Sequence, residues 1–94
     1  PAFVALFAEA MREGGVALGL RQEDAAELAV QTILGTARLL DTGMAPEALR
    51  KMVTSPGGTT EAGLRTFAER DFGGLVGDAL RSAQKRAEEL GRTA

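Results

Sequence analysis

The stretch Val53-Thr54-Ser55-Pro56-Gly57-Gly58-Thr59-Thr60 (VTSPGGTT) separates two helical patterns and decides how the chain is divided. Pro56 ends the helix before it, and the adjacent glycines free the backbone to adopt a positive φ. The paired threonines can cap the helix that follows. Backbone amides therefore gather at a helix start, where unpaired N–H groups and the helix dipole attract an anion such as a carboxylate or a phosphate.

Two interpretations of residues 55–60 stand open on this physical chemistry: a well-capped turn between helices, and an anion-binding site. One proline and one threonine suffice to end one helix and begin the next. The adjacent glycines and the second hydroxyl therefore favour a ligand that approaches the backbone closely. The glycine pair matches neither a phosphate loop, since no Lys follows at the required position, nor a dinucleotide fingerprint, since no strand precedes it.

Apolar residues recur along the chain at spacings of three and four, and no segment alternates with a period of two. The pattern predicts an all-α protein of about five helices. We expect them to span about residues 2–18, 22–41, 45–53, 60–70 and 72–90, with Asp71 capping the last. Gly35 lies inside the second helix, at a cost of roughly 1 kcal/mol relative to Ala. Either a tight helix crossing compensates for this glycine, or it is tolerated without a role.

The first predicted helix is apolar on nearly every side over its first two turns. Its apolar residues are Phe3, Val4, Ala5, Leu6, Phe7, Ala8, Ala10 and Met11. A surface helix of a small monomer does not leave such a face in water. We therefore expect something beyond its own domain to cover this helix.

The composition excludes several kinds of chemistry. With no Cys and no His, disulfides, thiolate or imidazole catalysis and the usual zinc sites are excluded, so we expect no metal. Eleven basic and thirteen acidic residues leave a formal charge of −2, so we expect no nucleic-acid partner. The apolar start is shorter than the roughly 20 residues of a membrane span. We expect one cytoplasmic domain without a membrane partner.

The chain resembles the C-terminal domain of the pyrroline-5-carboxylate reductase family, whose members catalyse the last step of proline biosynthesis. The most specific part is LRKMVTSPGGTTEAGL, residues 49–64, and PAFVALFAEAM, QTILGTARLL and RSAQKRAEEL support it. The resemblance spans nearly the whole chain. One departure is Ala68, where an acidic or amide residue is usual. The larger departure is that the family's N-terminal Rossmann domain is expected to lie outside this chain.

The resemblance implies an interlocked homodimer of all-helical domains, similar to the C-terminal domain of 6-phosphogluconate dehydrogenase, and rings of dimers occur in the family. It also implies the reduction of 1-pyrroline-5-carboxylate to L-proline with NADPH or NADH. The cofactor would be bound by the missing N-terminal domain, so the isolated chain is expected to be inactive. The alternative is a standalone helical interaction module that kept the fold and lost the reaction.

The same resemblance assigns roles to residues of the opening stretch. The amides of Gly58, Thr59 and Thr60 would receive the carboxylate of pyrroline-5-carboxylate. The Thr60 hydroxyl would hydrogen-bond the ring nitrogen, which makes Thr60 the catalytic residue of this chain. Ser55 and Gly57 would give the pocket its shape.

Overall fold

A computed structural model describes residues 1–93 of the chain, and within that range the protein contains helices and no strand. In chain order the helices are α1 (Ala2–Ala17), α2 (Gln22–Asp41), α3 (Pro46–Met52), α4 (Thr59–Glu69) and α5 (Phe72–Thr93). The predicted all-α class is confirmed. The first four helices begin and end within a residue of the expected bounds, and α5 continues past its expected end. The chain divides into two compact units, Pro1–Arg50 and a second that begins at Lys51.

The first unit is built around the pair α1 and α2, which a short link joins. Gly19 has a φ of 108°, and the amides of Leu18 and Leu20 both donate hydrogen bonds to the Gly15 carbonyl oxygen, so α1 ends sharply. A link this short returns α2 alongside α1. Ala25 and Ala29 of α2 are buried, as Leu49 is on α3, and no other residue in the described range is.

A close approach between α1 and α2 occurs at Gly15. A Cβ atom at this position would lie 3.2 Å from the Ala25 Cβ and 3.3 Å from the Leu20 Cδ1. Two small residues facing each other therefore let the helices meet. No atom of the described chain lies within 4 Å of a Cβ at Gly35. The tight crossing considered for Gly35 is thus not formed among the described residues, whereas Gly15 lies at a close approach of α1 and α2.

The second unit carries the pair α4 and α5, whose connection is set by Asp71. This residue has a φ of 51°, a conformation that Asp tolerates better than most side chains. The amide of Gly74 donates a hydrogen bond to the Asp71 Oδ1 at 3.3 Å, so the predicted cap of α5 is confirmed. The rings of Phe67 and Phe72 pack across the connection, with centroids 4.9 Å apart.

Large apolar side chains remain exposed on both units. No residue of α1 is buried, and its Leu6 is 65% exposed. The apolar surface expected on this helix is therefore present and lies open in the single chain. Other large apolar residues exposed in the described range include Phe3, Val4, Leu28, Val30, Leu75, Leu80 and Leu90. None of the described helices has both the length and the hydropathy required to cross a membrane.

Candidate functional site

A hydrogen-bonded turn stands directly before α4. The Gly58 amide donates to the Ser55 carbonyl oxygen at 3.0 Å, which closes a four-residue turn with Pro56 and Gly57 at its centre. Gly57 has a φ of 73°. Proline in the second position and a glycine of positive φ in the third are the pattern of a type II β-turn. The turn therefore holds the backbone in one defined shape at the entrance to α4.

The two glycines of this turn are required for different reasons. Gly57 supplies the positive φ, whereas Gly58 is extended, with φ −87° and ψ −178°. A Cβ at Gly58 would lie 3.1 Å from the Ser55 carbonyl oxygen, which is the acceptor of the turn hydrogen bond. The prediction of a positive φ is therefore confirmed for Gly57 and wrong for Gly58. Gly58 is the N-cap of α4, and N-cap residues have extended backbones. Glycine is needed at position 58 because a side chain there would crowd the Ser55 carbonyl oxygen.

The predicted threonine cap of α4 is also wrong. Thr59 and Thr60 lie inside the helix, past the capping position, and the N-cap residue Gly58 makes no side-chain hydrogen bond. The Glu61 Oε1 instead accepts a hydrogen bond from the Gly57 amide, one residue before the N-cap, at 3.2 Å. Sequence reasoning missed Glu61 as a site residue. The sequence feature that could have identified this residue is a glutamate three residues after the N-cap, as in a capping box.

The start of α4 presents donors that the described chain leaves without a partner. The Ala62 amide makes the first bond of the helical pattern, to the Gly58 carbonyl oxygen at 3.2 Å. The amides of Thr59, Thr60 and Glu61 precede it and have no intrahelical acceptor. Within residues 1–93, no hydrogen bond engages these amides or the two threonine hydroxyls. Both threonines are exposed.

This arrangement leaves three backbone donors available for the predicted anion site. The Gly58 amide was expected to share in carboxylate binding, but it already donates to Ser55. The donors that remain are those of Thr59, Thr60 and Glu61, at the positive end of the helix dipole. The chain thus brings the expected residues together in one turn and one helix start, and their roles in binding stay a prediction.

One ion pair lies beside these donors. The Arg65 guanidinium is 3.4 Å from the Glu61 Oε1, one helical turn away, and both side chains are partly exposed. Exposed pairs of this spacing contribute only about 0.3–0.5 kcal/mol, so the contact orients Glu61 more than it stabilises the fold. No group of three His, Cys, Asp or Glu side chains in the described range is placed to hold a metal ion.

Comparison with known proteins decides the family. The family model described as pyrroline-5-carboxylate reductase dimerisation matches residues 1–90. The chain belongs to this family. The pyrroline-5-carboxylate reductase of Synechocystis sp. is 45% identical over 93 residues, covering 98% of this chain and 35% of the relative. That of Escherichia coli is 37% identical over 94 residues, covering 99% of this chain and 35% of the relative.

A solved structure supports the same assignment. The crystal structure of Plasmodium falciparum pyrroline carboxylate reductase with NADP bound has a TM-score of 0.84 and 34% identity, over 88% of this chain and 32% of that chain. This chain therefore spans about a third of the length of the relatives it matches. The family and the helical fold expected from the sequence are confirmed, and the dimerisation family supports an oligomeric protein.

Proposed function

We propose that this chain is the dimerisation and substrate-binding part of a pyrroline-5-carboxylate reductase, which reduces 1-pyrroline-5-carboxylate to L-proline with NADPH or NADH. The observation that carries the proposal is the open start of α4, where the amides and hydroxyls of Thr59 and Thr60 have no partner in the described chain. Family membership supports a carboxylate of this class as the ligand, and the open start of α4 supports its position.

The substrate carboxylate binds the amides of Thr59 and Thr60. A carboxylate is acceptor-only, so it complements a group of unpaired N–H donors and gains from the helix dipole. Hydrogen bonds to a charged acceptor contribute about 1.5–3 kcal/mol each, roughly twice as much as neutral ones. The turn at Ser55–Gly58 keeps side chains away from this place, because its last two residues carry none.

The Thr60 hydroxyl holds the ring nitrogen of the substrate. During the reduction, hydride adds to the carbon of the C=N bond and the nitrogen takes up a proton. A hydroxyl can donate to or accept from this nitrogen as its charge and protonation change. Since the carboxylate is held by backbone next to the same residue, the two contacts together fix the orientation of the ring.

The nicotinamide cofactor, which supplies the hydride, is bound outside these 94 residues. The NADP-bound Plasmodium falciparum protein is about three times as long as the matched segment, which leaves room for a cofactor-binding part outside it. The helical domains of two copies form the homodimer, which can assemble further into rings. The exposed apolar face of α1 supports this part of the proposal, because burial against a second copy removes it from water.

The test is a steady-state assay of the full-length protein, following oxidation of the reduced cofactor with pyrroline-5-carboxylate. Thr60→Val keeps the branched shape and removes the hydroxyl, and we expect turnover to fall about tenfold or more, the equivalent of one lost hydrogen bond. Thr66→Val, farther along α4, is the matched control and should leave turnover unchanged. Equal rates for both variants would remove Thr60 from the mechanism.

A full-length protein with neither reductase activity nor a nucleotide-binding domain would contradict the proposal as a whole. That outcome would favour the helical interaction module instead.

A further inference from the structure

The Glu61 carboxylate is directed back to the turn. Its Oε1 accepts the hydrogen bond from the Gly57 amide at 3.2 Å and lies 3.4 Å from an Arg65 nitrogen. The side chain is 41% exposed, less than that of its partner. In a capping box the glutamate would reach the amide of the N-cap residue. Here that amide, of Gly58, is used within the turn, and the glutamate reaches one residue further back.

The Gly57 amide reports the orientation of the central peptide of the turn. Type I and type II turns differ by about 150° in ψ of the second residue and about 170° in φ of the third, which reverses the peptide between them. In the observed orientation the Gly57 N–H meets the Glu61 carboxylate. Reversal would turn this N–H away and bring the Pro56 carbonyl oxygen to that side, where two acceptors would repel each other.

We propose that Glu61 is a positioning residue that locks the Pro56–Gly57 peptide in the type II orientation. The lock keeps Gly58 extended at the N-cap, and so fixes the direction in which the amides of Thr59 and Thr60 point. Arg65 contacts the same carboxylate oxygen, Oε1, and helps to hold it in place. The effect on substrate rests on the proposed function, whereas the effect on the turn stands on the hydrogen bond alone.

Glu61 has a second, opposing effect on a bound carboxylate. Its negative charge lies in the first turn of α4, close to the place where the substrate's own negative charge would sit. Like charges repel, so the hydrogen bond of Glu61 favours substrate binding while its charge disfavours it. The amide of a glutamine keeps a carbonyl acceptor and removes the charge. Glu61→Gln and Glu61→Ala therefore separate the two effects.

The test compares these two variants in the full-length enzyme. We expect Glu61→Ala to raise the KM for pyrroline-5-carboxylate about tenfold, the effect of one charge-assisted hydrogen bond, with kcat changed by less than about twofold. Glu61→Gln should restore the KM to the wild-type value or below it. Glu69→Ala is the matched control, because it removes a carboxylate from the last turn of the same helix, and its KM should not change.

Two kinetic results would overturn the proposal. One is a wild-type KM in Glu61→Ala. The other is an equal KM in the Ala and Gln variants, since the charge and not the acceptor would then be responsible. Crystal structures of both variants give a readout independent of activity. Glu61→Gln should keep a positive φ at Gly57, and Glu61→Ala should show the reversed peptide or a mixture.

The structural readout separates this proposal from the proposed function. A wild-type enzyme without reductase activity, together with a reversed turn in Glu61→Ala, would refute the function and retain the lock. An unreversed turn in Glu61→Ala would refute the lock whatever the activity.

Discussion

Three single substitutions by alanine, two in the turn before α4 and one within the helix, separate the effect of backbone conformation on stability from the effect of available space. At Gly57 no described atom lies within 4 Å of a Cβ, so the methyl group has room, but the φ of 73° opposes it. A left-handed conformation costs an L-residue about 1–2 kcal/mol. The lower entropy of the unfolded chain returns about 0.4–1 kcal/mol. Gly57→Ala should therefore destabilise the turn by about 1 kcal/mol, which lowers the equilibrium ratio of formed to unformed turn about fivefold.

Gly58 and Gly63 give the two contrasting cases. At Gly58 a methyl group would lie 3.1 Å from the Ser55 carbonyl oxygen, so this oxygen must move and the turn hydrogen bond must lengthen, at a cost of about 1 kcal/mol. Gly63 lies within α4 with no described neighbour within 4 Å of a Cβ. There alanine removes the entropic cost of glycine in a helix and should stabilise it by about 0.5–1 kcal/mol.

The assay measures thermal unfolding and the KM for pyrroline-5-carboxylate of the three variants as full-length proteins. Gly57→Ala and Gly58→Ala should each raise the KM about fivefold or more, because the amides they precede lose their fixed direction. Gly63→Ala should leave the KM unchanged and raise the unfolding temperature. An unaltered KM and unfolding temperature in Gly57→Ala would refute the requirement for a positive φ. An equal rise in KM for Gly63→Ala would show that the variants act through the helix and not through the turn.

Two further predictions concern α1. Leu6 is 65% exposed, and if a second copy covers this exposed part, Leu6→Ala removes three carbons from each of the two copies. At about 0.8 kcal/mol per carbon, scaled by the exposed fraction, the loss is about 3 kcal/mol, so the dimer should weaken about two-hundredfold in sedimentation experiments, whereas Leu18→Ala in the link should have no effect. Gly15→Ala should destabilise the protein to denaturant by about 1–3 kcal/mol, because its methyl group would press on the Ala25 Cβ, and adding Ala25→Gly should recover part of the loss.

Helix bounds were predictable from the sequence where local chemistry marks them. The ends of α2 carry Glu23 and Asp24 in the first turn and a glycine of φ 95°, Gly43, just past the last. The cap at Asp71 was likewise predictable, because its hydrogen bond to the Gly74 amide joins residues three apart. Capping residues of this kind interact with residues within one turn of helix, so the local sequence contains all the information needed to predict them.

The assignment of donors and acceptors at the start of α4 was less predictable. Two threonines and a glutamate compete to cap the same helix, and the sequence alone favours the threonines. The turn that closes between Ser55 and Gly58 moves the N-cap to a glycine, which places both threonines inside the helix. Contacts between helices were harder still to predict from the sequence. Gly15 and Gly35 are both helical glycines, and only the approach of Ala25 distinguishes them.

The exposure of the α4 start has a physical consequence for the proposed carboxylate site. Charge interactions at a helix start in open water contribute only about 0.3–1 kcal/mol, because solvent and salt screen them, and they strengthen when water is excluded. Thr59 and Thr60 are exposed in this chain, so under the proposed function we expect its donors alone to bind a carboxylate weakly. Selective substrate binding therefore requires a further surface over the turn, from the cofactor-binding part or from a second copy.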